Sequence, residues 1–264
     1  MSPKTFSYGK DPQQTLDVYP PVLTKGVKAS AAAPVLFVVH GGGWRRGDKS
    51  YPQVFKNKVD CWCAMGWMVI CIDYRLGIDT DPRIDPYEMA TDVAKALAFA
   101  QGKARSWGGD PDRFMLMGHS AGAHLVALTI TAAELFRNAG ARPVLGAVLL
   151  DSAAYDVVDI MEKPHVSLYD QAFLDKPMYW RKVSPQARMR AKTPSLLIVY
   201  STKRGEGDMD HAEAFCELAK KYRTDATLLP VDLKHGELNS LLGESPHSEY
   251  TNNVIKWIDD RKRG

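Results

Sequence analysis

Short, almost continuously apolar runs alternate along the chain with longer segments whose apolar residues recur at helical spacing. The apolar runs predict strands at 34–39, 67–73, 114–117, 144–150, 195–200 and 226–231. The longer segments predict helices at 51–64, 86–104, 122–135, 210–222 and 248–261. Strands that helices cover on both faces are apolar throughout, so the alternation predicts an α/β fold with a mostly parallel central sheet.

Two segments interrupt this order. Residues 24–33 are small or Lys-containing and predict a surface loop. Residues 155–189 separate two predicted strands by a span rich in aromatic residues, Met and charge, too long for a simple connection. We expect this span to form a small helical lid inserted into one domain that comprises residues 1–264.

The composition excludes some classes of protein but does not assign a function. The chain has 264 residues, 45% of them hydrophobic, and 34 Lys and Arg against 31 Asp and Glu leave a net charge of +3. This balance excludes a disordered chain and gives no basic stripe for nucleic acid. The cysteines lack paired zinc-site spacing and are expected to be reduced thiols; they are Cys61, Cys63, Cys71 and Cys216.

The first residues, MSPKTFSYGKDPQQ, contain no basic segment followed by an apolar stretch, and no run approaches a membrane span of about 18 apolar residues. We therefore expect a cytoplasmic protein that does not associate with membranes. A secreted chain from which a signal peptide had been removed would look the same. The sequence does not indicate an oligomeric state.

The strongest chemical signal is Gly118-His119-Ser120-Ala121-Gly122, directly between a predicted strand and a predicted helix. A sharp strand-to-helix turn exposes a serine hydroxyl, and the following helix directs its N–H groups toward the reacting oxygen. Ser120 is therefore the expected nucleophile. The alternative is a structural turn.

A second signal is His40-Gly41-Gly42-Gly43-Trp44, at the end of the first strong strand. Successive glycine amides can direct donors at a developing oxyanion. We expect the hole to consist of the N–H groups of Gly42, Gly43 and Ala121. A phosphate-binding loop is the alternative, but no GK[ST] or GxGxxG pattern follows.

With these motifs, the DYR at 73–75 and the KHGELNSLLG near the C-terminus, the sequence resembles the α/β-hydrolase superfamily, in its esterase and lipase branch, from about Leu16 onward. The resemblance implies a serine, acid and histidine in that chain order, with no metal or organic cofactor. It requires a histidine beyond the last major strand, which leaves His235 and His247. His235 follows the strand at 226–231 directly and is the expected base, whereas His247 is expected near the start of the last helix.

The resemblance places the acid after the strand at 195–200, where family members usually show an Asp. Lys203 and Arg204 occupy much of that space here. Counting back from the helix favours Asp208, which we take as the acid, and counting from the strand favours Glu206. Asp210 is expected to be a helix N-cap. Three other acids at or just past strand ends precede the expected position and are interpreted as structural; they are Asp73, Asp151 and Asp156.

These residues predict a serine carboxylesterase that cleaves a small-molecule ester of short-chain or small aryl type. Trp44 and Trp180 are the expected substrate-binding residues, although either could instead pack the lid onto the body. The HGGxW form is shared with arylformamidases that act on N-formylkynurenine, which is the alternative substrate class. Another alternative is a non-catalytic ligand-binding homologue.

Overall fold

The computed structural model describes residues 2–22, 32–245 and 248–262, without the side chains of Glu206, Asp208 and Lys262. His247 and residues 24–31 of the predicted surface loop lie outside the described residues. The part that is described forms one sheet with helices on both faces, which confirms the predicted fold class.

The sheet has eight strands in the described residues. They are β1 Lys4–Ser7, β2 Thr15–Tyr19, β3 Ala33–Val39, β4 Met68–Ile72, β5 Gly109–His119, β6 Gly146–Leu150, β7 Ser195–Ser201 and β8 Ala226–Val231. Their order across the sheet is β1-β2-β4-β3-β5-β6-β7-β8. Strands β3 to β8 are parallel, whereas β1 pairs antiparallel with β2, and β2 pairs antiparallel with β4, at one edge.

Helices fill most connections between the parallel strands. They are α1 Pro52–Ala64, α2 Pro86–Trp107, α3 Ala121–Thr131, α4 Ala133–Ala139, α5 Val157–Glu162, α6 Ser167–Phe173, α7 Pro177–Val183, α8 Pro185–Arg188, α9 Glu206–Lys221, α10 His235–Ser240 and α11 Glu249–Lys262. Helix α9 begins before the predicted residue 210 and its N-cap is Gly205, so the prediction of Asp210 as an N-cap was wrong. The helices α5 to α8 occupy the segment that was predicted to be a lid; we call them the α5–α8 insertion.

The core lies on both faces of the sheet because successive side chains of a strand point to opposite faces. On β3, Val35, Phe37 and Val39 join one apolar cluster, and Leu36 and Val38 join the other. Helices α2 and α3 cover the first face, while α1 and α11 cover the second. This three-layer packing of helices, sheet and helices holds the carboxyl ends of the parallel strands at one edge, where ligand sites of α/β sheets usually form.

Candidate active site

Ser120 occupies a strained turn between β5 and α3. Its φ of 55° and ψ of −122° are unusual for a residue with a side chain. Its N–H donates a hydrogen bond to the carbonyl of Leu150 at 2.9 Å, which ties the turn to the end of β6. Gly122 permits close packing, because a Cβ there would lie 2.4 Å from the carbonyl oxygen of Val39. Ala121 is the first residue of α3, where an N–H has no acceptor within the helix.

The glycine loop after β3 faces the same cavity as Ser120. Gly42 has a φ of +125°, and a Cβ there would lie 1.8 Å from the carbonyl oxygen of Arg46, so glycine is required. Gly43 has a φ of +62°. Gly42, Gly43, Ser120 and His235 all line this cavity. The elements predicted to form an oxyanion hole are therefore adjacent to the serine.

Polar contacts hold the start of the glycine loop in place. The His40 ring stacks on Tyr74 at a centroid distance of 4.4 Å, and the Tyr74 hydroxyl donates to the His40 carbonyl at 3.0 Å. His40 Nε2 lies 3.5 Å from a carboxylate oxygen of Asp73. The N–H and the ammonium of Lys49 donate to Asp73 at 2.7 and 2.8 Å. His40 thus braces the loop, and Asp73 has the structural place expected of it.

His235 begins α10, directly beyond β8, and its Nδ1 lies 2.6 Å from Oδ2 of Asp151. An ionised carboxylate only accepts hydrogen bonds, so Nδ1 carries a hydrogen, and in the neutral ring Nε2 is the atom with the lone pair. Asp151 follows β6 directly, has a φ of +53° and is 3% exposed. Asp151, which the sequence analysis interpreted as structural, is thus the carboxylate that contacts the expected base.

This contact identifies a candidate acid other than the two that the sequence suggested. Asp208 and Glu206 lie in the first turn of α9, and their side chains are outside the described residues. The carboxylate that the structure places on His235 comes from the loop after β6 instead of the loop after β7. The single Nδ1–H of the imidazole is directed at Asp151.

The charge of Asp151 is stabilised despite its burial. Burial raises the pKa of Asp151, but the hydrogen bond from His235, the nearby charge of Arg204 and the N–H of Ser201 lower it by more. The pKa of this carboxyl consequently lies below its ordinary value. Asp151 is therefore ionised across the pH range in which a histidine base operates.

His119, the residue before the serine, fixes the backbone of the candidate base. Its Nε2 lies 2.8 Å from the carbonyl oxygen of His235, and the two rings are 4.6 Å apart. Burial, followed by the proximity of His235, lowers the pKa of His119 to about 3, so this ring is neutral. The sequence placed His119 in the turn without indicating that it contacts His235.

The cavity over Ser120 has a volume of about 800 Å³. Leu168 of α6 lines it together with Arg45, Arg46 and Asp79. Arg45 pairs with Asp79 at 2.9 Å, so part of the positive charge at the mouth is neutralised. Sequence patterns did not indicate Leu168, because it reaches the site only through the packing of the α5–α8 insertion.

The structure does not place the two predicted substrate-binding tryptophans on the wall of this cavity. Trp44 is 3% exposed and packs on Phe173 of α6 at 4.9 Å, while its Nε1 donates to His124 at 3.1 Å. Trp180 is 7% exposed and donates to the carbonyl of Leu174 at 2.6 Å. The alternative interpretation, packing of the insertion onto the body, describes Trp44, whereas Trp180 is buried and bonded within the insertion.

The described part of the chain contains no group of three or more His, Cys, Asp or Glu side chains arranged to hold a metal ion. The cysteines are free and buried, as expected of reduced thiols. Within the described ranges no helix combines the length and the apolarity needed to cross a membrane.

The fold, the matching family model and the curated esterase relatives together place the chain among the α/β-hydrolases, in the esterase and lipase branch. The resemblance noted in the sequence is therefore confirmed. The chain matches the family model described as BD-FAE over residues 16–216, and it belongs to that family.

Related proteins agree with this placement. "Probable isoprenylcysteine alpha-carbonyl methylesterase ICMEL1" of Arabidopsis thaliana is 26% identical over 245 residues, covering 86% of this chain and 49% of that protein. "Esterase LipC" of Mycobacterium tuberculosis is 29% identical over 227 residues, covering 80% and 53%. The chain thus spans about half the length of these relatives. The apo structure of Thermogutta terrifontis esterase 2 has a TM-score of 0.77 at 20% identity, covering 98% of this chain and 94% of that one, and shares the fold.

Proposed function

We propose that the protein is a serine hydrolase that cleaves carboxylic esters through Ser120, His235 and Asp151. The observation that carries the proposal is the 2.6 Å contact between His235 and a buried carboxylate, in a ring that lines one cavity with Ser120 and the glycine loop. The names of the relatives, a methylesterase and an esterase, support the same reaction class.

In this proposal His235 Nε2 takes the proton of the Ser120 hydroxyl as its oxygen attacks the ester carbonyl. Asp151 accepts the Nδ1 hydrogen throughout, which keeps the tautomer required of the base and stabilises the imidazolium that forms. The N–H groups of Gly42, Gly43 and Ala121 donate to the tetrahedral oxyanion. The imidazolium then protonates the leaving alcohol, and water activated by His235 releases the acid from the acyl-enzyme.

The substrate that we propose is a short-chain or small aryl ester. The cavity over Ser120 is open to small ligands, and Leu168 supplies an apolar wall beside the glycine loop. The aromatic side chains that would have favoured an N-formylkynurenine-type amide are engaged in packing instead, since Trp44 contacts His124 and Phe173. We therefore propose simple esters, and not formamides, as the substrate class.

The test is kcat/KM of the wild type and Ser120→Ala on p-nitrophenyl acetate, butyrate and octanoate, an aryl cinnamate and N-formylkynurenine. We expect the wild type to act fastest on a short ester and Ser120→Ala to lose about 10⁴-fold or more. Orders of magnitude greater activity on the formamide would assign an arylformamidase. No reaction of Ser120 with a fluorophosphonate probe would indicate a ligand-binding homologue.

A further inference from the structure

Arg204 lies where the loop after β7 passes the candidate acid and base. Its Nη1 is 3.5 Å from Asp151 Oδ2 and 3.5 Å from His235 Nδ1. Oδ2 is the oxygen that accepts the hydrogen bond from His235, while Oδ1 accepts one from the N–H of Ser201 at 3.1 Å. The guanidinium of Arg204 therefore lies beside the hydrogen bond that joins His235 to Asp151, in contact with both of its atoms.

The cation acts on the two residues in opposite directions. It stabilises the carboxylate of Asp151 and disfavours the protonated ring of His235. Asp151 contacts this ring, and His119 lies against it and is kept neutral by its lowered pKa of about 3. Arg45, Arg46 and Asp79 line the same cavity as His235. Lys58 of α1 contacts Asn239 further along α10. Among the described residues, Arg204 is thus the cation that lies within 3.5 Å of both the candidate acid and the candidate base.

We propose that Arg204 is a positioning residue that holds Asp151 ionised against His235. With Arg204 present, the ring of His235 stays neutral down to a lower pH than it would beside Asp151 alone. The effect of Arg204 on turnover rests on the proposed function. Its effect on His235 depends only on the contacts, so that effect can be tested whether or not the protein hydrolyses esters.

The test compares Arg204→Lys, Arg204→Gln and Arg204→Glu with the wild type. Lys203→Gln is the matched control, because Lys203 is the neighbouring cation, is 45% exposed and pairs with Asp232 at 3.5 Å. Two quantities are measured for each protein: the pH dependence of kcat/KM on p-nitrophenyl acetate, and the NMR titration midpoint of the His235 ring, assigned with the His235→Asn variant.

A base must be neutral to accept a proton, so activity rises with pH through its titration. Removing the cation favours the protonated ring, and we expect the acidic limb and the NMR midpoint of Arg204→Gln to move up by about half a unit to one unit. Arg204→Glu moves them further, and Arg204→Lys and Lys203→Gln stay within about 0.2 units of the wild type. Above the limb, Arg204→Gln lowers kcat several-fold with little change in KM.

An NMR midpoint that is the same in the wild type and Arg204→Gln would overturn the proposal, as would equal shifts in Arg204→Gln and Lys203→Gln, which would indicate a general charge effect. Failure of the proposed function is a different result. Ser120→Ala would then retain its esterase activity, while the NMR titration would still decide the role of Arg204.

Discussion

At the scale of single residues, the candidate site is built from strained backbone at the ends of strands. Ser120 and Asp151 have positive φ values of 55° and 53°, and such sparsely populated conformations cost residues with side chains about 1–3 kcal/mol each. Backbone hydrogen bonds offset this strain: the N–H of Ser120 donates to Leu150, and that of Asp151 donates to Val199 at 2.8 Å. The fold thus holds both side chains in conformations that a free chain would avoid.

Some of these residues could be predicted from the sequence and one could not. Ser120 and His235 sit in local patterns, a GxSxG turn and a histidine just beyond the last strand, and the structure brings them to one cavity. Asp151 carries the same local signal as other acids at strand ends. Its contact with His235 depends on which strand end lies opposite the base, a long-range property. The one sequence signal was that Arg204 stands in the space after β7 where family members usually have an Asp.

A prediction at this scale concerns the glycine loop. Gly43→Ala places a Cβ about 3.1 Å from Leu168 at a φ of +62° and displaces the N–H that we assign to the oxyanion hole. We expect kcat to fall about 10²-fold. The measurement is kcat on p-nitrophenyl acetate together with the melting temperature, to separate catalysis from folding.

The control for this variant is Gly102→Ala in α2, where an added Cβ meets no atom within 4 Å. It should leave kcat unchanged and stabilise the fold by about 0.5–1 kcal/mol, because alanine favours a helix interior. Unchanged kcat in a folded Gly43→Ala protein would remove Gly43 from the proposed oxyanion hole.

At the scale of elements, the apolar runs and the helical spacing identified the parallel strands and their helices because burial on both faces leaves a strong pattern. The antiparallel strands β1 and β2 were not predicted: β1 is short and mostly exposed, so its alternation is too weak to detect. The predicted helix 122–135 is divided at Ala132, whose φ of −84° and ψ of 91° are extended. Such a break arises from packing, which single-sequence periodicity does not report.

The helix that begins with His235 is anchored by a buried lysine. Lys58 of α1 donates to the carbonyl and the side-chain oxygen of Asn239 at 2.6 and 2.9 Å. Burial lowers the pKa of Lys58 from 10.5 to about 7. In the unfolded chain this lysine stays protonated up to its ordinary pKa. Between about pH 7 and 10.5 folding therefore releases a proton, and this group makes the fold more stable as pH rises.

We predict that Lys58→Met reduces this dependence on pH. The free energy of unfolding, measured with urea at about pH 7 and pH 9, should rise less with pH in the variant than in the wild type, by about 1–3 kcal/mol. Lys56→Met is the control on the same helix, since Lys56 is exposed and pairs with Asp60. An equal rise in the wild type and Lys58→Met would show that Lys58 does not titrate in this range.

At the scale of the whole molecule, the α5–α8 insertion is joined to the body beside the serine. Trp44 packs between Phe173 of the insertion and His124 of α3. His124 accepts from Trp44 and donates to the carbonyl of Val183 at 2.8 Å, and burial lowers its pKa to about 4, so the neutral ring satisfies both partners. The insertion thereby places Leu168 over the glycine loop. Sequence composition indicated the insertion, but not which of its residues line the cavity.

The position of Leu168 leads to a prediction about chain-length preference. Leu168→Ala removes an apolar wall of the cavity. It should raise kcat/KM on p-nitrophenyl octanoate, relative to the acetate, by about tenfold, since small changes in an apolar pocket are worth about 1–3 kcal/mol. Val166→Ala, an exposed position before α6, should leave the ratio unchanged. If the octanoate-to-acetate ratio of kcat/KM is unchanged in Leu168→Ala, the acyl chain does not bind against Leu168.

The decisive comparison for Asp151 as the acid is that of Asp151→Asn with Asp208→Asn and Glu206→Gln at equal folded concentration. An amide at 151 can donate to Nδ1 and so favour the tautomer that protonates Nε2, the atom that must accept the proton from Ser120. We expect Asp151→Asn to lower kcat by about 10³- to 10⁴-fold and the other two variants to stay within about threefold. A larger loss in Asp208→Asn or Glu206→Gln would contradict the assignment of Asp151 as the acid.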